Sequence, residues 1–267
     1  MNILILGTSK SGTTVVSQEI FQSLSGKVEY IFEPTTVEPF EIKPEAAHTV
    51  TKIVFDHWVN KKQELAKIIN NAFPLKFDKR IIIHRDPRDV WISVLLYYPF
   101  DLKRMVTDKS LFASWINFLQ KKEQNPASVS FLSMCNFFDS LFHVNLTSSM
   151  SKVSSFNGGF FPFCKRIDVH HHILKYEDYI TGDTKALSNY LNMELSGNRT
   201  VDDKYAHTFR TGTFNNWKRY FTTEDVEYFG KQRAVLQGLG YTDWELLQVD
   251  HIPEKELSGY VKLLLEK

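Results

Sequence analysis

One lysine stands inside a short run of small residues near the amino terminus, Gly7-Thr8-Ser9-Lys10-Ser11-Gly12-Thr13-Thr14. The apolar run Ile3-Leu4-Ile5-Leu6 precedes it, and Val15-Val16 open a helical pattern after it. A strand, a loop of small residues and a helix start together make a cradle for an oxyanion. Successive backbone N–H groups and the positive end of the helix dipole converge on one point. Gly7 and Gly12 have the spacing of an ATP-binding loop, but Thr13 follows where that loop carries its lysine. Lys10 lies two places before Gly12, so it cannot serve the β- and γ-phosphates as an ATPase lysine does.

A second constellation begins with Arg80-Ile81-Ile82-Ile83-His84, a run with the character of a buried strand. It leads into Arg85-Asp86-Pro87-Arg88-Asp89-Val90-Trp91-Ile92-Ser93. Pro87 suits the first turn of a helix, and Asp89 adds negative charge near its positive end. Arg85 thus falls at a strand's carboxyl end and Ser93 about two turns into the next helix. In open α/β sheets ligands bind outside those strand ends.

These segments resemble the PAPS-dependent sulfotransferases (PAPS is 3′-phosphoadenylyl sulfate). The first is similar to the family's 5′-phosphosulfate loop, roughly Pro-Lys-Ser-Gly-Thr-Thr, with Ser9 in place of the proline. The second is similar to its 3′-phosphate motif, an arginine followed eight residues later by a serine. A third, Arg210-Thr211-Gly212-Thr213-Phe214-Asn215-Asn216-Trp217-Lys218, resembles the family's Arg-Lys-Gly-x-x-Gly-Asp-Trp-Lys segment. Arg210, Gly212, Trp217 and Lys218 match; Thr211 replaces a lysine, Asn215 a glycine and Asn216 an aspartate. Leu174-Lys175-Tyr176-Glu177-Asp178 places Tyr176 where the family has a tyrosine near the adenine. The resemblance runs in islands from about residue 3 to about residue 222.

The resemblance implies a P-loop NTPase-like α/β fold with a three-layer, mainly parallel sheet flanked by helices. It implies transfer of a sulfuryl group from PAPS to a hydroxyl of a carbohydrate or small metabolite, with an amine as the second choice of acceptor, and no metal. Lys10 would neutralise charge on the departing phosphate. Ser11, Gly12, Thr13 and Thr14 would hold the 5′-phosphate, and Arg85, Ser93 and Arg210 the 3′-phosphate, with Thr211 and Gly212 beside them. Losing the lysine at position 211 weakens that grip unless another cation substitutes.

Two residues compete as general base. Glu33, in Tyr30-Ile31-Phe32-Glu33-Pro34, is similar to the Phe-Glu-Pro segment of carbohydrate sulfotransferases and is the favoured one. The alternative for Glu33 is a loop carboxylate paired with a lysine. His57 follows the third strand, near where cytosolic members carry a histidine, but the register of Thr51-Lys52-Ile53-Val54-Phe55-Asp56-His57 is not theirs. Lys52 either meets the sulfuryl group or pairs with Glu33. His170-His171-His172 reads as a strand edge leading to Tyr176, because no second ligand cluster at metal-site spacing accompanies it.

The elements that must position these groups follow from periodicity. Strands are expected at 2–6, 28–32, 48–55 and 80–84. Helices are expected at 13–24, 60–72, 88–97 (ending before Pro99), 109–123, 184–192, 223–237 and 254–266. Alternating strands and helices imply one α/β domain over residues 1–267. The stretch 126–165 is rich in phenylalanine with no clear period. It is either a flap over the acceptor site or a helical insertion with its own small core.

A hydrophobic content of 43% and 14% aromatic residues supply a substantial core, and a formal charge of +1 gives no global field for nucleic acid. Cys135 and Cys164 are the only cysteines, which suits a reducing compartment, with their pairing left open. No apolar run approaches the roughly 20 residues of a membrane span. The first strand begins at once, leaving no room for a signal peptide, so a cytoplasmic enzyme is expected. The rival readings are an ATP-dependent kinase and a non-catalytic binder of a bisphosphate nucleotide. Oligomeric state is not encoded in any motif.

Overall fold

The computed structural model describes residues 1–151, 159–195, 197 and 201–267. The chain divides into two compact units, Met1–Arg85 with Asn157–Ala206, and Asp86–Phe156 with His207–Lys267. The residues singled out in the sequence fall in both.

The first unit is built on five parallel strands: β1 (Asn2–Gly7), β2 (Val28–Phe32), β3 (His48–Val54), β4 (Lys79–His84) and β5 (His172–Lys175). Their order is β2-β3-β1-β4-β5. Strand side chains alternate between faces, so the unbroken apolar run of β1 must be covered on both. Leu4 and Leu6 join Ile53 and Ile82 beneath α2 (Lys62–Ile69), Trp58 and α7 (Phe160–Cys164). Ile3 and Ile5 join Val50, Ile81, Ile83 and Leu174 beneath α1 (Thr13–Ser23), α8 (Tyr176–Thr181) and α9 (Lys185–Leu191). The result is the expected three-layer α/β sandwich. The order also puts β1, between β3 and β4, at the point where the sheet's connections change direction, the place where such sheets bind ligands.

The second unit is helical among its described residues. Its helices are α3 (Pro87–Leu102), α4 (Ser110–Gln124), α5 (Phe131–Phe142), α6 (Leu146–Met150), α10 (Trp217–Tyr220), α11 (Thr223–Gly230), α12 (Arg233–Gly238) and α13 (Ser258–Glu266). Asp86 caps α3 by accepting from the Arg88 amide and holds the Arg88 guanidinium at 2.7 Å; that guanidinium lies 3.8 Å from the Trp217 ring centre. Asp225 caps two helices with one carboxylate. It closes a capping box with Thr222 on α11 and accepts from the Phe131 and Leu132 amides at the start of α5, at 2.8 and 2.7 Å. No described helix is long and apolar enough to cross a membrane.

Two element expectations are corrected. Pro99 lies inside α3 and does not end it. Leu95, Leu96 and Leu102 are all buried, and their packing outweighs the single N–H that proline removes. The expected helix 223–237 is two helices, α11 and α12, separated at Lys231-Gln232. In the stretch 126–165, α5 buries Phe131, Met134, Cys135, Phe138 and Phe142, a helical period that Phe137 obscures. Phe137 packs instead against Phe118 of α4, with ring centres 4.3 Å apart. The described part of this stretch is shared between the units, α5 and α6 in the second and α7 in the first; residues 152–158 lie outside the described residues.

Lys122 of α4 is fully buried and donates to the Pro126 and Val129 carbonyls, at 2.7 and 2.6 Å. Burial pulls its ammonium down to about 8, against a smaller opposing effect of Asp225. The unfolded chain then binds a proton that the folded chain has released between about pH 8 and the ordinary lysine value near 10.4, so this group makes stability rise with pH across that window. Urea midpoints at pH 7.5 and 10 should show that rise in the wild type relative to Lys122→Met. Parallel curves for the two proteins would contradict it.

Candidate active site

The loop after β1 is shaped by close approach. A Cβ on Gly7 would lie 2.6 Å from Ser11 Oγ and from Thr13 Cγ2, so only glycine lets the loop fold back on the strand end. Ser11 closes the turn on the Thr8 carbonyl, with its hydroxyl at 2.8 Å and its amide at 3.2 Å. Lys10 and Gly12 both have left-handed backbone, φ 63° and 92°. Such turns aim successive amides into one concavity. Gly12 is the N-cap of α1, and no side chain caps that helix. Among the described residues, no hydrogen bond takes the amides of Gly12, Thr13 or Thr14. These are the orphan donors that a helix start presents to an anion.

Two residues from other strand ends close over the loop. Tyr176, the first residue of α8 after β5, lies on Gly12: a Cβ there would be 2.2 Å from the ring. Arg85, just past β4, is buried; its Nη1 donates to the Lys10 carbonyl at 3.1 Å, and its guanidinium carbon sits 4.4 Å from the Tyr176 ring centre. Gly12, Tyr176 and Arg85 thus form a stack beside the uncapped helix start.

A third group comes from β2 and β3. Glu33 follows β2 with left-handed backbone, φ 50°, and its amide donates to the Lys52 carbonyl at 2.9 Å. Lys52 points from β3 to an ion pair with the Glu33 carboxylate and donates to Thr14 Oγ1 at 2.7 Å. Its ammonium also lies 4.4 Å from the Phe32 ring centre. The Lys52 side chain is 2% exposed and that of Glu33 28%. Burial lowers the Lys52 pKa, and Glu33 partly offsets it. Lys52 therefore pairs with Glu33, one of the two roles left open by the sequence.

His57 is exposed on the short turn Phe55–Trp58, and among the described residues no hydrogen bond or ion pair joins it to Glu33, Lys52 or the loop. Its neighbour Asp56 does reach the loop, accepting from the Ser9 amide at 2.6 Å. Sequence reasoning passed over Asp56. Its position directly after Phe55, at the end of the strand beside β1, was the available signal. Tyr205 was also missed: its ring stacks on Phe32 with centres 4.3 Å apart. Nothing in the spacing of residues so distant could have announced it.

The remaining expected site residues belong to the second unit. Ser93 is buried on α3. Arg210 donates through Nη1 to the Tyr220 hydroxyl at 3.0 Å and to the Glu256 carbonyl at 3.4 Å, while its Nε and Nη2 are buried without a hydrogen-bond partner among the described residues. Thr211 bonds Thr213 through their hydroxyls at 2.9 Å. Gly212 has φ 63°, and a Cβ there would meet the Phe209 ring at 2.4 Å. Trp217 anchors this segment, its amide donating to Asp89 Oδ1 at 3.0 Å. The three histidines stand at the start of β5: His170 and His172 face the Tyr190 ring, and His171 Nδ1 is 2.7 Å from the Val169 carbonyl.

No family model matches the chain, and neither does any curated protein. Among solved structures it is similar to mouse sulfotransferase SULT7A1 complexed with PAP, at 14% identity and a TM-score of 0.48, over 91% of this chain and 89% of that one.

The stack predicts the effect of one methyl group. Gly12→Ala places a Cβ in the left-handed region and against the Tyr176 ring, and should cost about 2–4 kcal/mol. Chemical unfolding measures this. Gly12→Ala in a Tyr176→Ala background should recover part of the loss; no recovery would show that the ring is not what excludes the methyl.

Proposed function

We propose that the chain is a sulfotransferase that moves a sulfuryl group from PAPS to a hydroxyl of a carbohydrate or small-metabolite acceptor by in-line transfer. The observation that supports this reading is the uncapped start of α1, with its left-handed lysine and the buried Arg85 on one side. Such a pocket suits a ligand with two separated anionic groups. The displaced lysine argues against an ATP γ-phosphate as the reacting group.

PAPS brings an already activated sulfuryl group, so the protein's work is positioning and charge stabilisation. In this reading the amides of Gly12, Thr13 and Thr14, with the Ser11 and threonine hydroxyls, hold the 5′-phosphate. Lys10 neutralises the charge that develops on the departing oxygen. Arg85 holds the 3′-phosphate, and Tyr176 supplies an aromatic face beside it. Glu33 accepts the proton of the acceptor hydroxyl. Glu33 is preferred to His57 because it is tied to Lys52, which is itself tied to Thr14 of the loop helix. Cytoplasmic location and independence from metal belong to the same proposal.

A thermal-shift titration with adenosine 3′,5′-bisphosphate, AMP and ATP·Mg tests the ligand. The bisphosphate should stabilise selectively, by about 2.7 kcal/mol at a hundredfold excess over Kd; preference for ATP·Mg would sink the reading. Arg85→Ala should weaken the bisphosphate far more than AMP, and Arg210→Ala examines the corresponding assignment in the second unit. With labelled PAPS and an acceptor panel, Lys10→Ala should lower turnover by about 10²–10³-fold with a smaller loss of bisphosphate affinity. Glu33→Gln should lower turnover by about 10²–10⁴-fold, leaving a measurable residual rate, and spare nucleotide binding. If His57→Ala does so instead, the base is His57.

A further inference from the structure

Lys52 has a chemistry that the sulfuryl-transfer reading does not by itself require. An ammonium only donates hydrogen bonds. Its 2.7 Å contact with Thr14 Oγ1 therefore makes the threonine hydroxyl an acceptor there. The hydroxyl's own proton must point elsewhere and can be given to an anion at the helix start. The same ammonium holds the Glu33 carboxylate, whose backbone is fixed in a left-handed turn by its amide's bond to the Lys52 carbonyl. Lys52 thus grips Glu33 from both its main chain and its side chain. The Phe32 ring covers the ammonium, and the β3 register places Lys52 opposite Ile5 in β1 and Phe32 in β2. A charge so nearly excluded from water depends on these partners to offset its desolvation.

We propose that Lys52 is a positioning residue that sets two groups at once, orienting the Thr14 hydroxyl to donate to the bound phosphate and holding the Glu33 carboxylate at the reacting centre. This rests on the sulfotransferase reading with Glu33 as base. It joins nucleotide grip and proton transfer through one side chain, so the two functions are not independent. It also gives the burial of a lysine in the sheet a purpose beyond pairing with a partly exposed carboxylate, whose attraction is offset by the cost of taking the ammonium out of water.

Two double-mutant cycles on the whole chain test it. Lys52→Met fills the slot with an unbranched apolar chain and leaves Glu33 able to reach water, and its urea midpoint reports whether it folds. The first cycle pairs Lys52→Met with Glu33→Gln and reads turnover of PAPS. Lys52→Met alone should lower kcat by about 100-fold, the scale of a misplaced reacting group. In the Glu33→Gln background it should lower the residual rate by less than about threefold, because its target is already gone. The second cycle pairs Lys52→Met with Thr14→Val and reads calorimetric affinity for adenosine 3′,5′-bisphosphate. Each single change should weaken binding by about tenfold and the double change no further, while Thr14→Ser keeps wild-type affinity. Multiplicative losses in either cycle overturn the proposal, as does wild-type affinity in Thr14→Val, which needs no change at Lys52. Wild-type turnover in Glu33→Gln is a different failure: it removes the proposed base. Multiplicative losses with a strongly slowed Glu33→Gln remove only the role of Lys52.

Discussion

The ring of Tyr176 resting on Gly12 is the contact around which the rest of the candidate site is organised. It requires a residue without a Cβ at the N-cap of α1, and glycine in turn lets the loop turn left-handed there. That turn leaves the first amides of α1 facing outward without a side-chain cap. The other face of the site follows from the same ring, because the Arg85 guanidinium stacks on it and then reaches the Lys10 carbonyl. A buried arginine is tolerable because an aromatic face and a carbonyl replace part of its hydration. One aromatic contact thereby joins the ends of β1, β4 and β5.

The second organising feature is the parallel sheet itself. Its order brings the carboxyl ends of β3, β1 and β4 side by side, and each delivers a cation to that edge. Lys52 comes from within β3, Lys10 follows β1 and Arg85 follows β4. Acidic groups are interleaved with them: Glu33 after β2 meets Lys52, and Asp56 after β3 takes the Ser9 amide. The edge is therefore locally polar in both senses, consistent with a chain whose formal charge is only +1. Binding selectivity at such an edge comes from placement of charge and not from its total.

Much of this was legible in the sequence because the signals are local. The apolar run of β1 followed by glycine, small residues and threonines specifies strand, loop and helix within fourteen residues. Pro87 behind Asp86 marks a helix start as plainly, and α3 begins there. Glu33 and Lys52 were both singled out, but their pairing depends on the register of β2 against β3, which periodicity does not fix. Tyr205 escaped for the same reason, because its role comes from tertiary neighbours, whereas the place of Asp56 at a strand end was legible. Pro99 was misleading because propensity was weighed without the buried leucines around it. The phenylalanines of α5 were misleading because Phe137, on another face of the helix, broke the visible period while packing on Phe118. Ser93 and Arg210 were singled out by motif and lie in the second unit, whose helical character the sequence showed only in part.

The first unit is discontinuous along the chain: its sheet is not complete until β5, which follows a long excursion into the second unit. During synthesis on the ribosome, β1 through β4 and the loop after β1 emerge well before Tyr176 is made. At several residues per second, the nascent sheet waits for seconds with one edge strand missing and the loop uncovered by its ring. The exposed side of β4, rich in isoleucine, must be kept from pairing with other chains for that interval. The ring that covers the loop thus arrives late, and its contact with Gly12 on a growing chain would be a marker of β5 having docked.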